Sequence, residues 1–190
     1  MYYNKTLKKY LDDLAARKPV PGGGAAAALA AAMGASLISM VVNFTLGRPK
    51  YEKYQKELQL ILSKSENLRK LFLALVDLDI AAYQSKNIKK AMEIPLKVCR
   101  LSLEALSLCP DLAKKGNSNL ISDAAVAAVL LEAAFTGAYF NVEINLQNLF
   151  EDGSTRKIRK ELKAKAGTVR RIRRETEEKV GEIIRRQAAG

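Results

Sequence analysis

Apolar residues along the chain recur at three-, four- and seven-residue steps, and no stretch sustains the strict alternation of a half-buried strand. Helices are therefore expected almost throughout. Leu7, Tyr10, Leu11 and Leu14 mark one stripe of a first helix, which stops at Lys18-Pro19-Val20-Pro21 and the run Gly22-Gly23-Gly24. Ala25 to Leu46 then runs 22 residues without a charge and ends at Gly47-Arg48-Pro49. A long amphipathic segment follows from Lys50 to about Asn87, with Tyr51, Tyr54, Leu58, Ile61, Leu68, Phe72 and Val76 on its stripe. A further helix is expected from about Pro95, through Val98, Cys99, Ser102 and Leu106, to near Pro110.

Lys115 to Asn119 reads as a turn, after which Ser122 is the expected N-cap of the next helix with Asp123 in its first turn. That helix is apolar nearly all round to about Leu149. The last helix follows the turn at Asp152-Gly153-Ser154 and carries Ile158, Leu162, Val169, Ile172, Thr176, Val180 and Ile183 inward. Two helices that are apolar on almost every side need cover on every side. The uncharged segment from Ala25 has the length of a bilayer span. Its small residues and its Gly34, Ser36, Ser39 and Asn43 instead suit a helix at the centre of a bundle. The expected fold is thus all-α, an up-and-down bundle of about five to six helices in one domain over 1–190, dimeric, with no membrane partner.

Composition narrows the chemistry. The chain of 190 residues contains no histidine and two cysteines. Histidine-based triads, histidine-ligated zinc and four-ligand cysteine sites are excluded, so no metal is expected. Catalysis has to run on carboxylates, Lys, Tyr, Cys or amides. The opening residues lack the apolar core of a secretory signal, which makes the cytoplasm the expected compartment. Net charge is +12, and residues 156–190 alone hold 13 Lys/Arg against 5 Glu. Such a tail attracts anions, yet no aromatic residue interleaves its basic ones, and a nucleic-acid partner is not expected.

Three groups of residues are candidates for a site. Extending the stripe of the long helix gives Phe72, Val76, Asp79 and Tyr83, which turns Asp79 inward and rotates Asp77 away. A carboxylate on a buried face must be paired, hydrogen-bonded or shifted in pKa, as acid/base groups are; the plainer alternative is a carboxylate that reaches water at the end of the stripe. Gly22, Gly23 and Gly24 either leave backbone N–H groups open to a ligand or serve as a flexible helix entry. Asn43, Asn141 and Asn145 are amides within apolar helices, suited equally to helix–helix hydrogen bonds and to lining a pocket for a heterocycle.

Taken together, Pro19 to Leu29 (PVPGGGAAAAL), Asn43 to Gly47 (NFTLG) with Lys50-Tyr51, and Leu75 to Asp79 (LVDLD) with Tyr83 resemble the cyclodeaminase domain of the formiminotransferase-cyclodeaminase family. Pro95-Leu96, Gly116-Asn117 with Ser122-Asp123, and Gly137 to Leu146 (GAYFNVEINL) follow in that family's order. The family also includes small stand-alone methenyltetrahydrofolate cyclohydrolases of the serine-cycle type. The resemblance covers about residues 19–149 and implies a helical dimer with a folate site near the subunit interface. It implies formiminotetrahydrofolate cyclodeaminase activity or, alternatively, 5,10-methenyltetrahydrofolate cyclohydrolase activity, with no cofactor besides the folate substrate. Asp79 is implied as the catalytic acid, the choice that helix phase also makes. Gly22, Gly23, Gly24, Asn43, Asn117, Ser122, Asp123, Asn141 and Asn145 are implied as substrate-binding. Ala25 stands where the family often has Ser, and the link from Tyr83 to Pro95 is shorter than in the bifunctional enzymes. The basic chain further suggests a polyglutamylated folate as the preferred partner. The reading from another class is a non-catalytic basic helical binding module, for which the glycine run, Asp79 and the amides have no use.

Overall fold

The computed structural model describes residues 1–188. Its α-helices are α1 (Leu7–Ala15), α2 (Gly23–Asn43), α3 (Gln55–Gln84), α4 (Ile88–Leu106), α5 (Cys109–Lys115), α6 (Ile121–Gln147) and α7 (Gly153–Ala188), with short 3-10 helices at Pro49–Tyr54 and Ser118–Leu120. Five of the seven are long, and no strand occurs among the described residues. Neighbouring helices run antiparallel. Ser39 meets Ser65 across α2 and α3 at 2.8 Å. Cys99 donates to the Phe135 carbonyl and Asn145 to the Ala91 carbonyl across α4 and α6. Glu132 pairs with Arg173, and Glu143 with Arg159, across α6 and α7.

Small residues let α2 sit close between α3 and α6. Ala25, Ala28, Ala31 and Ala35 are fully buried. A Cβ on Gly34 would come to 2.8 Å from the Leu131 side chain and 3.2 Å from the Ala127 carbonyl, so α6 packs directly on the α2 backbone there. Both α2 and α6 are long and apolar enough to cross a bilayer by length and composition, yet both are built into the bundle. The last helix follows its expected stripe, with Leu162, Val169, Ile172, Thr176 and Val180 buried. Asp152 caps it, accepting from the N–H groups of Ser154 and Thr155 at 2.8 Å.

Several elements differ from expectation, each for a local reason. In α1, Leu7 and Leu11 are 63% and 50% exposed, while Tyr10 and Asp13 turn inward. The Tyr2 ring packs edge-on against Tyr10 at 5.3 Å, and Asp13 is held by Lys9, Lys18 and the Tyr2 hydroxyl, which rotates the stripe. The segment expected as one helix from Lys50 opens with a short 3-10 helix, and α3 itself begins at Gln55.

The helix expected from Pro95 begins a full two turns earlier, at Ile88, where Asn87 caps it by accepting from the Lys90 N–H at 3.1 Å. Pro95 is therefore inside α4, where it can supply no N–H to the Ala91 carbonyl four residues back. The Asn145 side chain donates to that carbonyl instead, at 3.1 Å. Ser122 does not cap α6: the cap position is Leu120, and Ser122 lies exposed within the first turn beside Asp123.

Candidate active site

At the N-terminal end of α2 the chain arrives extended through Gly22, which offers no side-chain cap to the helix. Gly23 and Gly24 are then the first helical residues. A Cβ on Gly24 would fall 2.7 Å from the Asp79 Cγ and 2.8 Å from its Oδ2. A Cβ on Gly23 would fall 3.3 Å from the Asn141 amide nitrogen. The glycine run is therefore the surface against which a carboxyl from α3 and an amide from α6 are pressed.

Asp79 is the group whose electrostatics stand out. Burial pushes its pKa up to about 6, opposed by the Ala25 backbone N–H, which favours the charged form. Beneath it lies Tyr10, buried with its hydroxyl unpartnered. Burial first, then the neighbouring Asp79 charge, raise that phenol to about 12. Asp77, two residues away, faces elsewhere and accepts the backbone N–H groups of Tyr2 and Tyr3. The helix phase read from the sequence thus separates a site carboxylate from one that fastens the N-terminal segment.

The cleft over Asp79 has a volume of about 200 Å³ and is lined by Pro19, Val20, the three glycines, Tyr83, Ala91, Asn141 and Asn145. Asn141 spends its amide N–H on the Gly137 carbonyl at 2.8 Å. Asn145 spends its own on the carbonyls of Ala91 and Asn141. Both amides thus serve the helix backbones and keep their oxygens as acceptors. A carboxyl, two amide oxygens and no Lys or Arg line this cleft. Such a site is complementary to a ligand that carries N–H donors or positive charge.

Of the residues implied by resemblance, the fold brings together Gly22, Gly23, Gly24, Asp79, Asn141 and Asn145. Asn43, Asn117, Ser122 and Asp123 do not line this cleft. They lie toward the opposite end of α2, about 30 Å away at 1.5 Å per residue. Asn43 borders an open depression with Ser36, Met40, Glu66 and Arg69. Asn117 is buried, its backbone N–H donating to Thr45 at 2.8 Å and its Oδ1 accepting from Asn119. With it, Arg48, Lys50, Tyr51, Ser118 and Asn119 line a separate basic pocket of about 300 Å³. Among the lining residues, Val20 and Ala91 carry no chemical signal in the sequence. Tyr83 stood on the Asp79 stripe and was readable as a neighbour.

The sequence matches the family model described as formiminotransferase-cyclodeaminase over residues 6–87 and 84–164. It is 36% identical to methenyltetrahydrofolate cyclohydrolase of Methylorubrum extorquens, over 86% of this chain and 91% of that protein. It is 29% identical to formimidoyltransferase-cyclodeaminase of Rattus norvegicus over 84% of this chain, which spans only 34% of that longer protein. The fold superposes on formiminotetrahydrofolate cyclodeaminase of Thermotoga maritima with a TM-score of 0.90 and 30% identity, covering 97% of this chain and all of the other. A helical bundle with the Gly24–Asp79 contact at its mouth, and a match of this extent in both sequence and fold, place the chain in the formiminotransferase-cyclodeaminase family.

Proposed function

We propose that this chain is a folate one-carbon enzyme acting at the N5–C–N10 bridge of tetrahydrofolate, as a formiminotetrahydrofolate cyclodeaminase. The observation that carries the reading is the Asp79 carboxyl, lifted to about 6 in a cleft of acceptors with no cation of its own. The formimino group enters as an amidinium-like cation. N10 attacks its carbon, and Asp79 takes the N10 proton and passes it to the amino group, which leaves as ammonia. The methenyl cation that forms then sits beside the ionised carboxylate. No metal or redox cofactor is needed for these steps. A group with pKa near 6 is suited to both halves of the transfer close to neutral pH.

The match to a cyclohydrolase along 91% of its length favours a second reading on the same residues. There Asp79 takes a proton from water as it attacks the methenyl carbon, then returns it to the nitrogen released. Side-by-side assays discriminate the two, following ammonia release from 5-formiminotetrahydrofolate and loss of methenyltetrahydrofolate absorbance. Turnover above buffer in at least one is expected. Neither substrate turning over would overturn the proposal in favour of a non-catalytic module.

The enzyme is proposed to work as a single-domain homodimer in the cytoplasm, where Cys99 and Cys109 remain thiols. Along α6, Val126, Val129, Ala133, Phe140 and Ile144 stand exposed at steps of three, four and seven, and Met33 of α2 is exposed as well. Phe140 is 70% exposed. A row of this spacing is a helix-packing seam that lacks its partner. A second copy laid antiparallel on this face brings its Asn117, Ser122 and Asp123 end toward the Asp79 cleft. Both groups of residues implied by resemblance would then serve one site. Polyglutamylated folates are proposed as preferred substrates, with neither nucleic acid nor membrane as partner. Many α7 cations are already paired, including Arg159 with Glu143 and Glu151, and Arg173 with Glu132 and Glu177.

A further inference from the structure

The Asp79 cleft is too small to hold a whole folate. Ligand sites for molecules of that size run to about 300–1,000 Å³, and this one is about 200 Å³. It does not end blindly. Tyr83, Ala91 and Asn145 are shared with a second groove of about 350 Å³ that continues along the α3–α4 junction past Lys86, Asn87 and Ile88. A pterin seated over Asp79 has this groove as its continuation, and Tyr83, 58% exposed at the junction, offers its ring to whatever passes.

Lys86 is the one non-glycine residue with positive φ among the described residues, at +55°. It follows Ser85, the C-cap of α3, at the position where helices most often place glycine. The other positive φ among the described residues, at Gly47, is occupied by a glycine. A Lys held in the left-handed region carries a conformational cost that a glycine would avoid. The position places a lysine in the lining of the groove. Lys86 has no carboxylate within ion-pair distance among the described residues. Lys89 and Lys90 follow in the first turn of α4, whose N-terminus adds partial positive charge on the same side. The Asp79 cleft itself contains no cation.

We infer that the groove from Tyr83 to Lys86 and Asn87 is the subsite for the aminobenzoyl-glutamate portion of the substrate, Tyr83 packing on the aromatic ring and Lys86 pairing with the glutamate carboxylates. This rests on the folate reading of the Asp79 cleft and adds to it which residues select for the glutamate tail. Lys86 is a specificity-determining residue here, and takes no part in the chemistry.

Lys86→Gly is the informative variant, because a residue that merely ends α3 should be served at least as well by glycine. Steady-state kinetics with monoglutamyl and triglutamyl substrate at low salt are compared for wild type, Lys86→Gly and Lys86→Arg. Expected for Lys86→Gly is an unchanged or raised thermal midpoint and kcat within about twofold. Its KM for the triglutamate should rise at least about tenfold, and the preference for triglutamate over monoglutamate should collapse. Lys86→Arg should restore that preference. Competitive inhibition by p-aminobenzoyl-glutamate should weaken in parallel. An active enzyme whose Lys86→Gly variant keeps wild-type KM values overturns the subsite alone, as does loss of the preference in Arg48→Ala instead. A wild-type protein that neither turns over nor binds a folate overturns the subsite together with the function it rests on.

Discussion

The Asp79 carboxyl occupies the space that a side chain on Gly24 would need. This makes the third glycine of the run a condition for the acid, because any Cβ there forces the carboxyl out or α2 away from α3. Gly24→Ala should therefore lower turnover by at least about a hundredfold, a loss comparable to that of removing a general acid/base. Helix content should remain near wild type, since alanine favours helix over glycine by about 1 kcal/mol. Gly167, exposed on α7 and outside the cleft, has nothing within 4 Å of the corresponding position, so Gly167→Ala should leave turnover within a few-fold. Equal effects of the two substitutions on kcat at saturating folate would show that the contact has no catalytic consequence.

Asp79 keeps its proton to about pH 6 in the folded chain, above its ordinary value of 3.8. Folding therefore takes up a proton between those values. The stability that Asp79 contributes is fully present below pH 4 and is lost as pH rises through 6. Asp79→Asn should match wild type in stability near pH 4 and exceed it at pH 7.5, by up to about 3 kcal/mol. In the same variant kcat should fall at least about a hundredfold, and wild-type activity should decline as the carboxylate protonates below about pH 6. Asp77→Asn should spare kcat and loosen the N-terminal segment that Asp77 holds through Tyr2 and Tyr3. A midpoint for Asp79→Asn below wild type at pH 7.5 would mean that the anion is stabilised in the fold.

Pro95 and Asn145 form a second coupled pair. The carbonyl of Ala91 lacks its helical donor because of Pro95 and is served by the Asn145 amide. Asn145→Ala should destabilise the wild-type chain by about 1 kcal/mol, the net worth of a hydrogen bond to a half-buried acceptor. With Pro95→Ala already present, the backbone can close its own hydrogen bond, and the same substitution should be much milder. A double-mutant cycle by denaturant unfolding reads the coupling directly. Additive effects would show that the Asn145 amide and the proline gap act independently.

These pairs also explain what was legible in the sequence. The stripes of α3 and α7, and the Asp79 phase, follow from periodicity within one helix and are visible in one dimension. The start of α4 was not legible, because a proline inside a helix reads as a first turn unless the residue that replaces its hydrogen bond is known. Asn145 lies 54 positions from Ala91. The tilt of α1 depends likewise on Tyr2 and Lys18 closing on Tyr10 and Asp13. Asn141 and Asn43 look alike as amides in apolar helices. Only the antiparallel packing of α2 on α6 sets one over Asp79 and leaves the other at the far end.

The exposed row on α6 carries the last prediction. Val129 and Phe140 are 43% and 70% exposed, while their neighbours Ala128, Leu131, Ala138 and Val142 are fully buried. A charge at either exposed position therefore disturbs no internal packing, but it would be buried without a partner if two copies meet on this face. Val129→Glu and Phe140→Glu should each leave helicity and thermal unfolding of the monomer near wild type. They should also shift a sedimenting dimer to monomer at micromolar concentration. Turnover should fall with dimer content if the Asn117 end of one copy completes the Asp79 cleft of the other. Mixing Asp79→Asn with an Asn117 variant separates the two arrangements, because neither parent is fully active and only a site shared across the interface is rebuilt in the mixed dimer. Recovery of activity on mixing supports the shared site. Its absence, with mixed dimers demonstrated by differential tagging, means that each protomer works alone.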